Sequence, residues 1–214
     1  MRLRQNKPWA DDYIKENHHI IIDEPFVNKG KWKEAFGNDQ PLHIEIGSGK
    51  GKFIQGMAEQ FPEVSFVGME RVKAVIVMAL KKVKEHELPN ARLLHENAND
   101  VREMFEENEV DQIYLNFSDP WPKNRHEKRR LTYHTFLEQY QSILKPEGRL
   151  VMKTDNRHLF EYSLVSFSQF GCVLEEVTMD LHSLDDETNV MTEYEEKFSE
   201  QGYPIYRCVV RFPS

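Results

Sequence analysis

Glu45-Ile46-Gly47-Ser48-Gly49-Lys50-Gly51 decides the fold. The short apolar run over residues 42–46 reads as a strand, and residues 52–60 read as a helix. Three alternate glycines join them. Glycine lets a backbone turn tightly and approach a ligand without a Cβ in the way. A dinucleotide fingerprint, Gly-x-Gly-x-x-Gly, would need glycine at 52, where Lys52 stands. A phosphate-binding loop of the Gly-x-x-x-x-Gly-Lys-Ser/Thr kind is absent as well. What remains is acidic-x-Gly-x-Gly-x-Gly between a strand and a helix. Taken alone it also fits a plain turn with incidental glycines.

Outward from that loop the pattern alternates. Further strands are expected over 65–69, 91–95, 111–117, 149–154, 172–179 and 205–212. Helices are expected over 71–87, 100–107, 132–144 and 157–170. The first of these has an apolar face at Val72, Val75, Ile76, Ala79, Leu80 and Val83. Pro146 and Gly148 stop the third, and Gly171 ends the fourth. Strands and helices at this spacing imply a Rossmann-like α/β fold, a mainly parallel sheet of seven strands with helices on both faces. Between Met179 and Ile205 there is little apolar patterning beyond a short acidic helix near 193–200. The last strand is therefore expected to insert antiparallel. Residues 1–40 lack sustained periodicity and read as an N-terminal arm with one or two short helices. Residues 41–214 form the main domain. In such sheets ligands bind at the carboxyl ends of the strands, where strand order reverses.

The chain has 214 residues, 39% of them hydrophobic. At ~150 residues per domain this is one elaborated domain with a sizeable core. The longest apolar run, Ala74 to Leu80, is far short of the ~20 residues of a membrane span, and the mean hydropathy is -0.67. Arg2, Arg4 and Lys7 are not followed by an apolar stretch, so the start does not read as a signal peptide. Cys172 and Cys208 form no CxxC arrangement, and the cytoplasm is the expected compartment. Net charge is -8, which on average argues against nucleic acid. The average hides asymmetry. Lys123, Arg125, Lys128, Arg129 and Arg130 fall within eight residues against one acid, Glu127, whereas residues 185–200 hold seven acids against Lys197. A local basic patch still offers a phosphate footprint.

Polar clusters recur at strand ends. Glu70 ends the second strand, where a carboxylate accepts both hydroxyls of a ribose. Asn97 follows the third and is the better candidate to read an adenine edge, since Asn99 or Asp100 suits a helix N-cap. After the fourth comes Asn116-Phe117-Ser118-Asp119-Pro120-Trp121-Pro122-Lys123. Its prolines stiffen the loop and hold Asp119 at the strand's mouth. It runs straight into the basic patch, which suggests a polyanionic substrate presented to a small cofactor. The adjacent His18 and His19 cannot share a site on a regular element, and no HExxH occurs. No metal is expected.

These segments resemble one family. The glycine loop is similar to the first motif of class I S-adenosylmethionine-dependent methyltransferases. From residue 45 to 195, most of its length, the chain resembles the bacterial tRNA (guanine-N7)-methyltransferases. The match runs through Glu45 to Gly51, Gly68-Met69-Glu70, Asn116 to Lys123 with Lys128-Arg129-Arg130, Lys153-Thr154-Asp155, and Thr192-Glu193-Tyr194-Glu195. In the arm only Lys7-Pro8-Trp9-Ala10 matches. The resemblance implies a class I methyltransferase fold and methyl transfer to N7 of a guanine in tRNA, in the family at position 46 of the variable loop. It implies that Glu45, Gly47, Gly49, Gly51, Glu70, Asn97 and Asp119 line the S-adenosylmethionine site, with Asp119 catalytic. Lys123, Asp155, Thr192, Glu193, Tyr194 and Glu195 would contact substrate. Arg125, His126, Lys128, Arg129 and Arg130 would hold the tRNA, with the Arg2–Lys7 arm and the cluster from Lys29 to Lys33 as the other candidates. A monomer or homodimer is expected.

The chemistry agrees with these roles. Guanine N7 carries a lone pair and no hydrogen, so attack on a sulfonium methyl releases no proton. Asp119 then has positioning and charge stabilisation to perform rather than base catalysis. Two other readings stay open on the residues. One is a different nucleic-acid or amino-group methyltransferase, although the acidic-Pro-Pro-aromatic motif is interrupted by Trp121. The other is an RNA-binding module with a vestigial fold.

Overall fold

A computed structural model describes residues 8–22, 24–184 and 186–213. Helix α1 (Pro8–Glu16), strand β1 (Ile21–Ile22) and helix α2 (Trp32–Phe36) precede β2 (Leu42–Ile46), α3 (Lys52–Gln60), β3 (Ser65–Met69), α4 (Lys73–Glu85) and β4 (Ala91–Leu94). Then follow β5 (Val110–Asn116), α5 (His134–Ile143), β6 (Leu144–Thr154), α6 (Arg157–Phe170), β7 (Val173–Thr178), α7 (Glu193–Ser199) and β8 (Tyr206–Arg211). One sheet takes the order β1-β4-β3-β2-β5-β6-β8-β7. Strand β8 runs antiparallel to β6 and β7, and the remaining pairings are parallel. Order reverses between β2 and β5, as two half-sheets wind outward from that point.

Alternating side chains feed two cores. Ile113 and Leu115 of β5 join α2, α5 and α6 on one face. Tyr114 between them joins α1, α3 and α4 on the other. Cys172 and Cys208 are free thiols. Among the described residues no helix is long and apolar enough to cross a membrane, and no group of three potential metal ligands occurs.

Two expectations need correction. The sheet has eight strands, because Ile21 and Ile22 of the arm pair parallel with Leu93 and Leu94. Two residues are too few to show periodicity. The arm also sends Trp32 into the main core, and Asp11 of α1 pairs with Lys73 of α4. Arg2 to Lys7 lie outside the described residues. The second correction concerns residues 100–107, where only a single 3-10 turn forms, Val101–Glu103, with Asp100 accepting from Arg102 N at 3.0 Å. A longer helix would need Met104 O for its own ladder. Trp32 Nε1 donates to that oxygen at 2.9 Å, and Asn108 N donates to Ser142 O instead.

Candidate active site at the carboxyl ends of the central strands

The glycine loop closes over the end of β3. Gly47 N and Ser48 N both donate to Met69 O at 2.8 Å. Gly47 and Gly49 have φ of 83° and 55°, the left-handed region that side chains resist, and open space lies where a Cβ would point. Gly49 N donates to Glu70 Oε2 at 3.2 Å, and Val72 N donates to Glu70 Oε1 at 2.8 Å. Glu70 thus ties the loop to the start of α4 and delays that helix to Lys73. Gly51 differs. A Cβ there would stand 2.5 Å from Ala79 Cβ, so Gly51 serves the packing of α3 on α4. Of the three glycines only Gly47 lines the cleft described below, and Glu45 lies behind that lining.

Glu45 is fully buried at the end of β2. Its Oε1 accepts from Asn116 Nδ2 at 2.8 Å. Its Oε2, Asn116 Oδ1 and Ser48 Oγ are buried without protein partners. Three such atoms from neighbouring strand ends and the glycine loop are rare in a core and fit a polar ligand group that donates hydrogen bonds. Burial pushes the Glu45 carboxyl up to about 8, against the Asn116 hydrogen bond and the Lys153 charge. The folded chain therefore keeps a proton that the unfolded chain has already released. Stability from this group is full below its unfolded value, near 4.5, and is lost as pH rises toward 8. In ligand-free protein, Glu45→Gln is expected to flatten the fall in melting temperature between pH 5 and 8. An unchanged slope would place the charged form in the fold.

A cleft of about 580 Å³ opens beside this loop, lined by Gly47, Glu70, Asn97, Asp119, Lys128 and Arg129 among others. Asp119 sits on a stretch bracketed by two left-handed non-glycine residues, Phe117 (φ 52°) and Trp121 (φ 41°). Each costs of order 1–3 kcal/mol and persists only where its surroundings enforce it. The enforcement is visible. Phe117 N donates to Lys153 O at 2.8 Å. The Arg130 guanidinium donates to Trp121 O at 3.1 and 3.3 Å and lies 4.2 Å over the Tyr162 ring. Arg129 covers the Trp121 ring at 4.8 Å, and His126 meets it edge-on. Arg130 is therefore a brace. Lys128 and Arg129 face the cleft; Arg125 lies exposed on the same 3-10 segment, Asn124–Arg129, and Lys123 lies exposed just before it.

The remaining expected substrate residues gather elsewhere. Thr192 Oγ1 accepts from Glu195 N at 2.9 Å and caps α7. Glu193 pairs with Lys82, and Glu196 with Lys52. Glu195 is buried against Lys153 at 2.6 Å. Only Tyr194, 43% exposed, is left facing solvent. Its hydroxyl lies 3.5 Å from Asp155 Oδ2, and its ring packs on Phe117 at 5.1 Å. Neither Tyr194 nor Asp155 lines the cleft; Tyr194 borders it through its packing on Phe117, which does.

Comparison with known proteins fits this arrangement. A family model described as "Putative methyltransferase" matches residues 39–208. A protein of Oceanobacillus iheyensis named tRNA (guanine-N(7)-)-methyltransferase is 62% identical over 99% of both chains. The Bacillus subtilis protein of that name is 55% identical over 99% of both. The chain belongs to the tRNA (guanine-N(7)-)-methyltransferase family. Solved structures bear out the fold of this family member. An antibiotic-related methyltransferase superposes with TM-score 0.63 at 18% identity, covering 86% of this chain and 94% of that one. An S-adenosylmethionine-dependent methyltransferase of Aquifex aeolicus gives 0.58 at 15%, covering 95% and 98%.

In and behind this cleft three residues had no assigned role in the sequence reading. Asn116 opened a motif without one, yet it holds Glu45. Lys153 is a charge directly after the apolar run Leu150-Val151-Met152 near the end of β6, and that placement is itself a signal of a buried pair. Arg71 gave no signal.

Proposed function

We propose that this chain transfers the methyl group of S-adenosylmethionine to N7 of a tRNA guanine, within the cytoplasm where tRNA is found. The observation that carries the reading is a single cleft. It is shared by the glycine loop, the braced Asp119 and the basic Lys128 and Arg129. Bound S-adenosylmethionine supplies an electrophilic methyl on a sulfonium. Glu45 Oε2 is the acceptor suited to the cofactor's ammonium end. Glu70 keeps lone pairs for ribose hydroxyls beyond its two backbone bonds. Asn97 stands at the end of β4, suited to the adenine edge. Asp119 accepts from guanine N1 and N2 and lies close to the cationic product. The base must leave its stack to enter, which costs a few kcal/mol. Phosphate contacts by the basic segment offset this.

Incubation of unmodified tRNA with labelled methyl donor, followed by nucleotide mapping, is expected to yield 7-methylguanosine. A label on any other atom would overturn the reading. Neutralising Lys128 and Arg129 together is expected to make the salt dependence of tRNA binding shallower by roughly 0.7–0.9 in log–log slope per lost phosphate contact. S-adenosylmethionine binding alone should stay near wild type. An unchanged slope would move tRNA to another surface, such as the cluster from Lys29 to Lys33.

A further inference from the structure

Arg71 follows Glu70 at the end of β3. β3 and β5 lie on opposite sides of β2, yet the Arg71 guanidinium reaches to 3.9 Å from Asp119 Oδ2. Both side chains line the cleft. Both are well exposed, 59% and 68%. An ion pair this long and this wet holds little energy. Neither group is committed to the other, and a planar ligand edge can engage both.

The pair presents an acceptor beside a donor. Guanine's pairing edge offers the complement: N1–H and N2–H donors with the O6 acceptor next to them. A carboxylate takes the donors, and a guanidinium serves O6. Adenine reverses the pattern. Its N6 amino group would meet the guanidinium and its bare N1 would meet the carboxylate, two repulsive contacts that add to discrimination. Asp119 alone does not read position 6 of the ring. Arginine commonly takes O6 and N7 of guanine together, but here the N7 lone pair must stay free to attack the methyl. The Asp119 carboxylate draws the guanidinium toward the N1 side and away from N7.

We propose that Arg71 is a specificity-determining residue that donates to guanine O6 while Asp119 accepts from N1 and N2. This rests on the tRNA guanine-N7 reading above. The test uses two tRNAs, with guanosine or 6-thioguanosine at the methylated position, sulfur being a poor hydrogen-bond acceptor. Wild type is expected to prefer guanosine roughly tenfold to a hundredfold in kcat/KM, the scale of a hydrogen bond to a charged donor. Arg71→Ala should lose a similar factor on guanosine and show almost no preference between the two tRNAs. If Arg71→Ala keeps the full preference, Arg71 does not meet O6 and the proposal fails. Equal losses on both tRNAs with a shallower salt slope would make Arg71 a phosphate ligand and also overturn it. A wild-type chain that forms no 7-methylguanosine on the guanosine tRNA would sink the underlying reading and this proposal with it. That failure is recognisable because it shows before any variant is compared.

Discussion

Asp119→Asn is expected to lower kcat for methyl transfer by roughly 100- to 1000-fold, the cost of removing one preorganised electrostatic partner from a transition state. The affinities for tRNA and S-adenosylmethionine should change little. The expectation starts from the reaction. N7 gains positive charge as the methyl arrives, and no proton leaves. The carboxylate contributes by facing that charge and by accepting from two guanine donors. An asparagine of the same shape keeps one acceptor, loses the charge and turns an amide donor toward a donor edge. The backbone should not relax to compensate, because Phe117 and Trp121 fix the loop on either side. Hydroxide cannot replace a group that removes no proton. Raising the pH should therefore not rescue the variant. Rescue at high pH would show Asp119 acting as a general base, and a kcat within threefold of wild type would remove it from the chemistry.

Much of this molecule was legible because its signals are local. The strands over 42–46 and 65–69 and the helices over 52–60 and 157–170 have the bounds their patterns imply. Glu70, Asn97 and Asp119 each stand at a strand's carboxyl end, and the fold brings all three to one cleft. What the sequence hid depends on partners distant in the chain. Gly51 looks like part of the cofactor loop, yet Ala79, from another helix, requires it. The basic run looks uniform, yet Arg130 braces a carbonyl nine residues away. The helix expected over 100–107 gives way to partners far along the chain, as Trp32 Nε1 donates to Met104 O and Asn108 N donates to Ser142 O. Such substitutions of long-range for local partners leave no periodicity to read.

The acidic stretch before β8 was legible only as a charged face, and its main task is fastening. Lys153 Nζ donates to Glu195 Oε2 at 2.6 Å, Val190 O at 2.9 Å and Asn189 Oδ1 at 3.1 Å, which uses all three of its protons. Glu195 Oε1 accepts from Asn189 Nδ2 at 2.9 Å, with His182 Nε2 at 3.2 Å. The two side chains are 3% and 0% exposed, and burial pulls the Lys153 ammonium below its ordinary range. The crossover that bears Glu195 is anchored at its two ends by the buried Leu181 and Ile205, and between them Val190 packs on α3, where a Cβ on Gly56 would stand 2.6 Å from its Cγ1. Glu195→Ala is therefore expected to cost about 3–5 kcal/mol in urea unfolding, because it strands a buried ammonium. Lys153→Met combined with Glu195→Leu removes both charges and should recover most of that loss. A loss below about 1 kcal/mol for Glu195→Ala would mean that the pair is not holding the crossover. The double variant should not recover activity to the same extent. Tyr194 rides on α7 next to Asp155 and Phe117, and a hydrophobic contact lacks the direction of a charged hydrogen bond to set that helix. Wild-type kcat/KM for tRNA in the double variant would show that packing alone positions α7.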